Sequence, residues 1–206
     1  MIDKLLPSYP LTLYKTDTEQ YPKYGLPEGY TFVFYQPGDE EAWARLECSL
    51  GQFDSMEKGL ECFKREFLVD QILVPEERML FVRDASGEYV ATATLWDGMY
   101  LGKRCQRVHW VAVSDRCKGK GIAKALLSRV LDLYHELGYS GFIYLLTGTR
   151  YYPAIGIYKS FGFTEYRGER SLSDSMTDEE FQEQNERAIA FVQEKLKEYT
   201  HQKGGT

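Results

Sequence analysis

Arg107-Val108-His109-Trp110-Val111-Ala112-Val113, then Arg116-Cys117-Lys118-Gly119-Lys120-Gly121, then a long amphipathic run to Leu137, decide how this chain is read. The first segment is an apolar strand and the second a glycine turn. The third places Ile122, Ala125, Leu126, Val130, Leu133 and Leu137 on one helical face, with Gly138 where a C-terminal glycine cap belongs. Strand, glycine turn and helix start together make an anion cradle. Glycines let the backbone approach a ligand closely, and the first N–H groups of the helix lie at the positive end of its dipole.

Composition bounds the rest. At 206 residues, 43% hydrophobic and 27% charged, the chain can bury a core of its own. No stretch reaches the ~20 apolar residues of a membrane span, and Met1 to Ser8 does not read as a signal peptide, so a cytoplasmic location and no membrane partner are expected. Cys48, Cys62, Cys105 and Cys117 have no metal-type spacing, and His109, His135 and His201 have no ligand partners at helical spacing, so no metal is expected. A net charge of −6 argues against a nucleic-acid partner and leaves room for a cationic substrate.

Residues 1–29, rich in tyrosine and proline, read as an irregular extension. A strand from Tyr30 to Tyr35 and the turn Gln36-Pro37-Gly38 lead to Asp39, the expected N-cap of a helix carrying Ala42, Trp43, Leu46 and Leu50. A second helix runs from Met56 to about Val69. Arg78 to Asp84 and Tyr89 to Trp96 read as a hairpin about Ala85-Ser86-Gly87-Glu88. The Asp97-Gly98 and Leu101-Gly102 turns then feed the strand quoted above, completing an antiparallel meander. Gly141 to Thr147 is a strand reached across a full helix, so a parallel crossover is expected. A short helix opened by Pro153 and closed by Gly162, and a strand from Phe163 to Arg167, follow. Thr177-Asp178-Glu179-Glu180 is a capping box for a helix with Phe181, Ala188, Ile189, Val192, Leu196 and Tyr199 on one face. The fold class is α/β, with a mixed, mainly antiparallel sheet flanked by helices.

Which anion the cradle takes is narrowed by exclusion. The P-loop spacing is absent, and a dinucleotide GxGxxG pattern starting at Gly119 and Gly121 meets Lys124 at its third glycine. Arg116-x-x-Gly119-x-Gly121 after a strand and before a helix resembles the coenzyme A pyrophosphate loop of the GNAT superfamily of N-acetyltransferases. About forty residues on, Ala154-Ile155-Gly156-Ile157-Tyr158-Lys159-Ser160-Phe161-Gly162-Phe163 is similar to that family's later motif, and the element order from 30 to 167 matches.

The resemblance implies direct acetyl transfer from acetyl-CoA to an amine. Backbone groups of Val111 and Val113 would hold the pantetheine arm, and Arg116, Cys117, Lys118, Gly119, Lys120, Gly121, Ile122 and Ala123 would hold the pyrophosphate. Tyr158 matches the general acid that protonates the leaving thiolate. Its other reading is a core tyrosine on the stripe of Ala154, Ile155 and Phe161.

His109, placed on the face of Val111 by the period of two, is the candidate base, with a satisfied buried histidine as the alternative. Moving a proton from an ammonium of pKa ~10 to an imidazole of pKa ~6.5 is uphill by about 5 kcal/mol, so the base would act through water or on a desolvated amine. Tyr151 stands where the family often has asparagine, and Thr147 and Thr149 are candidate replacements. Cys117 reads as a spacer with an exposed side chain.

The domain expectation is an extension over 1–29, an acetyl-CoA-binding domain over 30–167, and a C-terminal segment over 168–206 whose helix packs on the domain or contacts a second copy. The acceptor class stays open between small-molecule amines and peptide or protein amines. A non-catalytic acyl-CoA-binding module of the same fold is the alternative function.

Overall fold

The computed structural model describes residues 6–69, 73–100, 102–170 and 176–204, with side chains to His201. In chain order the elements are β1 (Pro10–Lys15), β2 (Thr31–Phe34), α1 (Glu40–Ser49), α2 (Met56–Phe67), α3 (Pro75–Arg78), β3 (Met79–Arg83), β4 (Tyr89–Tyr100), β5 (Lys103–Val113), α4 (Ile122–Glu136), β6 (Ile143–Gly148), α5 (Tyr152–Ser160), β7 (Thr164–Glu165) and α6 (Asp178–Gly204). The seven strands form one mixed sheet in the order β2-β3-β4-β5-β6-β1-β7. β2–β3, β3–β4, β1–β6 and β1–β7 pair antiparallel, and β5–β6 pair parallel through Gln106↔Ile143 and Arg107↔Tyr144. The crossover expected from a full helix between two strands is therefore present.

Two compact units make up the chain: residues 1–21, 98–107 and 141–206, and residues 22–97 and 108–140. The first is built on β1 and β6. Leu11 and Leu13 of β1 are buried while Thr12 and Tyr14 are half-exposed, and Ile143 and Leu145 of β6 are buried. Helix α6 lays Ala188, Ile189 and Val192 into this unit, and a Cβ on Gly156 of α5 would stand 3.1 Å from Leu196.

In the second unit α1 and α2 pack their apolar faces together. A Cβ on Gly59 would stand 3.0 Å from that of Ala44, and Trp43, Phe63 and Phe67 are essentially fully buried with Tyr35, Met79 and Phe81. Burial of rings this size, at roughly 25 cal/mol per Å² of apolar area, supplies most of what holds the two helices down. Helix α4 ends in a Schellman motif: Tyr139 N–H reaches Tyr134 O at 3.0 Å, Gly138 N–H reaches His135 O at 2.9 Å, and Gly138 takes φ +79°.

Four local readings are corrected. Residues 10–15 are not irregular: Leu11 and Leu13 alternate with polar and aromatic neighbours over a span short enough for Pro10 to obscure it. Asp39 holds the N-cap position of α1, its carbonyl taking the Trp43 N–H at 3.0 Å, but its side chain makes no capping bond. Its carboxylate takes the Gln36 N–H at 2.8 Å and the Tyr89 hydroxyl at 2.6 Å instead. Asp97-Gly98 is not a turn but the continuation of β4, and Gly98 is there because a Cβ would run into the Tyr144 hydroxyl. A helical turn, α3, precedes β3, started by Pro75. Leu101 of the second expected turn lies outside the described residues.

Candidate active site

The strand end, turn and helix start lie together in the second unit. Ser114 N–H bonds Val90 O at 2.8 Å, tying the end of β5 to β4, and Asp115–Cys117 forms a single 3₁₀ turn. Gly119 and Gly121 then adopt φ +79° and +84°, a conformation that costs an L side chain about 1–2 kcal/mol, and no atom lies within 4 Å of where a Cβ would stand on either. The first helical bond is Ala125 N–H to Gly121 O at 3.0 Å, so the N–H groups of Ile122, Ala123 and Lys124 precede the helix's own bonding, and no side chain caps them. An anion such as a pyrophosphate fits that open start.

The cations around the turn are not equivalent. Arg116 pairs with Asp84 at 3.0 Å, and Asp84 is held below the usual carboxylate range chiefly by the Ser86 hydroxyl, with backbone N–H groups and Arg116 adding to it. Lys118 pairs with Asp115. Lys120 donates to the Tyr30 hydroxyl at 2.9 Å, and Lys124 lies over the Tyr24 ring at 4.9 Å from its centroid.

The four cations around the turn are thus split, two paired with carboxylates and two leaning on phenols. The phenols were not anticipated. They come from residues 22–30, which α4 holds through Lys23 to Asp132, Tyr24 N–H to Ser128 Oγ at 2.9 Å, and Ser128 Oγ to Pro22 O at 3.0 Å. Cys117 is a further correction: the 3₁₀ turn points it inward, 2% exposed, with its sulfur 3.7 Å from the Tyr30 hydroxyl.

His109 lies in the same unit as the turn, 18% exposed, with Nε2 3.0 Å from Oε2 of Glu66 on α2. The rings of Phe67 and Trp110 flank it at centroid distances of 6.0 and 5.7 Å. Trp110 has φ +47°, the one described non-glycine residue at positive φ. A positive φ interrupts the regular pleat at this point, although burial keeps its period of two on either side, with Val108 and Ala112 buried and His109, Val111 and Val113 half-buried. Val111 and Val113 themselves are half-buried at the end of β5.

On α1, Glu47 is 1% exposed, and burial pushes its carboxyl up to about 8; Oε1 has no hydrogen-bond partner. Glu66 and Glu47 were both missed. Pairing of Glu66 with a residue 43 positions away leaves no local signal, whereas Glu47 on the Trp43 side of α1 is visible as an acid on an apolar face.

Tyr158 lies in the first unit, on α5, 8% exposed beside the buried Ile155 and Phe161 and edge-on to Phe163 at 6.2 Å. Burial pushes its phenol well above the ordinary range, so it stays protonated. Its carbonyl takes the N–H groups of Phe161 and Phe163 at 3.0 and 3.1 Å, closing the helix at Gly162. Thr149, offered as a replacement for the asparagine, is fully buried: its Oγ1 donates to Pro7 O at 2.8 Å and accepts from Tyr9 N at 3.0 Å. Among the described residues no cluster of three His, Cys, Asp or Glu could hold a metal, and no helix is long and apolar enough to cross a membrane.

A mixed seven-stranded sheet with a glycine turn opening a helix after its central strand is the architecture of acetyltransferases. The acetyltransferase (GNAT) family model matches residues 41–163, and the chain belongs to that family. A 62-residue stretch is 37% identical to N-acetyltransferase family 8 member 2 of Rattus norvegicus, covering 30% of this chain and 27% of that protein. Among solved structures, a GCN5-related N-acetyltransferase from Sphaerobacter thermophilus superposes with a TM-score of 0.56 at 24% identity, over 77% of this chain and 49% of that one. A predicted acetyltransferase with acetyl-CoA from Clostridium acetobutylicum gives 0.54 at 15% identity, over 70% and 96%. These likenesses show the fold. The chain spans about a quarter of the curated relative and about half of the first structure.

Proposed function

We propose that the chain is an acetyl-CoA-dependent N-acetyltransferase, moving an acetyl group directly to a primary amine of a small molecule or peptide, with residues 30–167 as its acetyl-CoA-binding domain. The observation that carries this reading is the start of α4, where two glycines at positive φ leave open space above uncapped N–H groups. Residues 116–123 would hold the pyrophosphate there, and the backbone of Val111 and Val113 the pantetheine arm.

The amine nitrogen attacks the thioester carbonyl carbon, the C–S bond breaks, and the thiolate leaves as a thiol. Tyr158 is assigned as the donor of that proton, supported by its motif; burial keeps it protonated and also makes it a weaker acid toward the thiolate. His109 is assigned as the acceptor of the ammonium proton, through water. Each assignment stands on its own unit's residues.

Thiol release from acetyl-CoA in the presence of an amine panel tests the reading. Turnover lost about a hundred-fold in Tyr158→Phe, with acetyl-CoA binding retained, is the expected result. Acetyl-CoA binding without thiol release on any amine would instead favour the non-catalytic module.

A further inference from the structure

Resting on that reading, we propose that Glu66 is a positioning residue for His109, fixing its tautomer and supporting its charged form as the proton arrives. The two side chains come from different elements, α2 and β5. Their contact is short, Nε2 to Oε2 3.0 Å, with the histidine 18% and the glutamate 25% exposed. A pair this shielded interacts more strongly than a surface pair, where water and salt reduce the attraction to a fraction of a kcal/mol.

Around the imidazole, α2 places the Glu66 carboxylate and, behind it, the Arg65 guanidinium, 3.7 Å from the other carboxylate oxygen. The rings of Phe67 and Trp110 lie beside it, edge-on and tilted, at centroid distances of 6.0 and 5.7 Å. A carboxylate at Nε2 selects the tautomer that carries hydrogen there and makes Nδ1 the basic nitrogen. When Nδ1 takes, through water, the one proton the ammonium gives up, the imidazolium is stabilised by Glu66, which remains ionised. The proton is then released to solvent and the pair returns to its starting state.

Helix α2 has its apolar face in the core through Cys62, Phe63 and Phe67. Packing therefore holds the helix without Glu66, and substitution there separates a positioning role from a folding one.

The test uses the full chain with Glu66→Gln, Glu66→Asp, His109→Ala and the Glu66→Gln/His109→Ala double variant. Glu66→Gln is expected to lower kcat about ten- to a hundred-fold, a portion of what a general base supplies, with both KM values within about two-fold. Because the carboxylate favours imidazolium, its removal moves the acidic limb of the pH–rate profile to lower pH by about one unit. Glu66→Asp recovers part of kcat, and the double variant is no slower than His109→Ala alone.

An unmoved acidic limb, multiplying effects in the double variant, or a raised amine KM at unchanged kcat would each overturn the proposal; the last would make Glu66 an acceptor-binding residue. A readout free of activity is the ring-proton NMR titration of the histidines, His109 identified by its loss in His109→Ala. If its midpoint falls in Glu66→Gln the positioning role holds whether or not an amine is turned over, and if it does not fall the role is excluded. Absent turnover with the midpoint shift intact would count against the acetyltransferase reading alone.

Discussion

At the start of α6 the chain satisfies its own helix: Thr177 Oγ1 accepts from Glu180 N–H at 3.2 Å, Glu180 Oε2 accepts from Thr177 N–H at 2.8 Å, and Asp178, Glu179 and Glu180 add negative charge. At the start of α4 none of these devices is present. The residue before the helix is Gly121 at φ +84°, there is no side-chain cap and no acid in the first turn, and the neighbouring charges are basic. Both helices begin with the same deficit of unbonded N–H groups. One is closed by protein, as a helix with no ligand at its end should be. The other is left uncapped, and in the proposed function an anion closes it.

The severest way to break the comparison is to close α4 as well. Gly121→Val forces a β-branched residue into a left-handed conformation and fills the open space above the turn. The protein has no atom nearby to clash with, so it is expected to fold, with KM for acetyl-CoA raised of order ten- to a hundred-fold and KM for the amine unchanged. Steady-state kinetics against each substrate checks this, and an unaltered acetyl-CoA KM would remove the cradle from the site.

Glu47 extends the contrast to a buried side chain left open where a cap is not at issue. Its carboxyl is raised by burial to about 8, so between pH ~4.5 and 8 the folded chain keeps a proton that the unfolded chain has lost. Folded molecules then bind more protons than unfolded ones, and stability falls as pH rises through that window. Glu47→Gln is expected to flatten the slope and to be more stable than the parent by about 1–3 kcal/mol at pH 8. Denaturant unfolding at pH 5, 6.5 and 8 measures it; parallel slopes for the two proteins would mean that Glu47 is not the titrating group.

These residues also show which parts were legible from the chain alone. Helix α4, its Schellman end, the α6 capping box and the parallel crossover were readable, because each is written in a local period or in a few adjacent residues. Glu66 against His109, Asp39 against Tyr89 and Tyr30 against Lys120 are contacts across 43, 50 and 90 positions, which no local pattern encodes. Cys117 was misread for a related reason: nothing in Arg116-Cys117-Lys118 announces a 3₁₀ turn that points the middle residue inward. Gly98 carried a true signal, the need for no side chain, but its cause lies in Tyr144 rather than in a turn.

Opening the closed helix is the converse test. Thr177→Ala deletes the hydroxyl of the capping box and is expected to cost about 1 kcal/mol of stability, read as a lowered Tm, with kcat and both KM values unchanged. A change in KM for acetyl-CoA would contradict the view that only α4 serves the ligand.

The finest distinction lies among the cations of the α4 turn. Arg116 and Lys118 already have carboxylate partners, so their charge is largely spent within the protein, whereas Lys120 and Lys124 rest on phenol rings that carry no formal charge. An approaching polyphosphate can draw the second pair away from Tyr30 and Tyr24 without leaving a carboxylate behind, but must compete with Asp84 and Asp115 for the first. Lys120→Ala is therefore expected to raise KM for acetyl-CoA about two- to five-fold, in keeping with a solvent-exposed charge contact, and Arg116→Ala to raise it less. Because the Lys120 contribution is exposed to solvent, it should shrink as ionic strength rises from 0.05 to about 0.5 M and the screening length shortens. Equal effects of the two substitutions, or a Lys120 effect that salt leaves untouched, would mean that the pairing seen around the turn does not govern which cations meet the ligand.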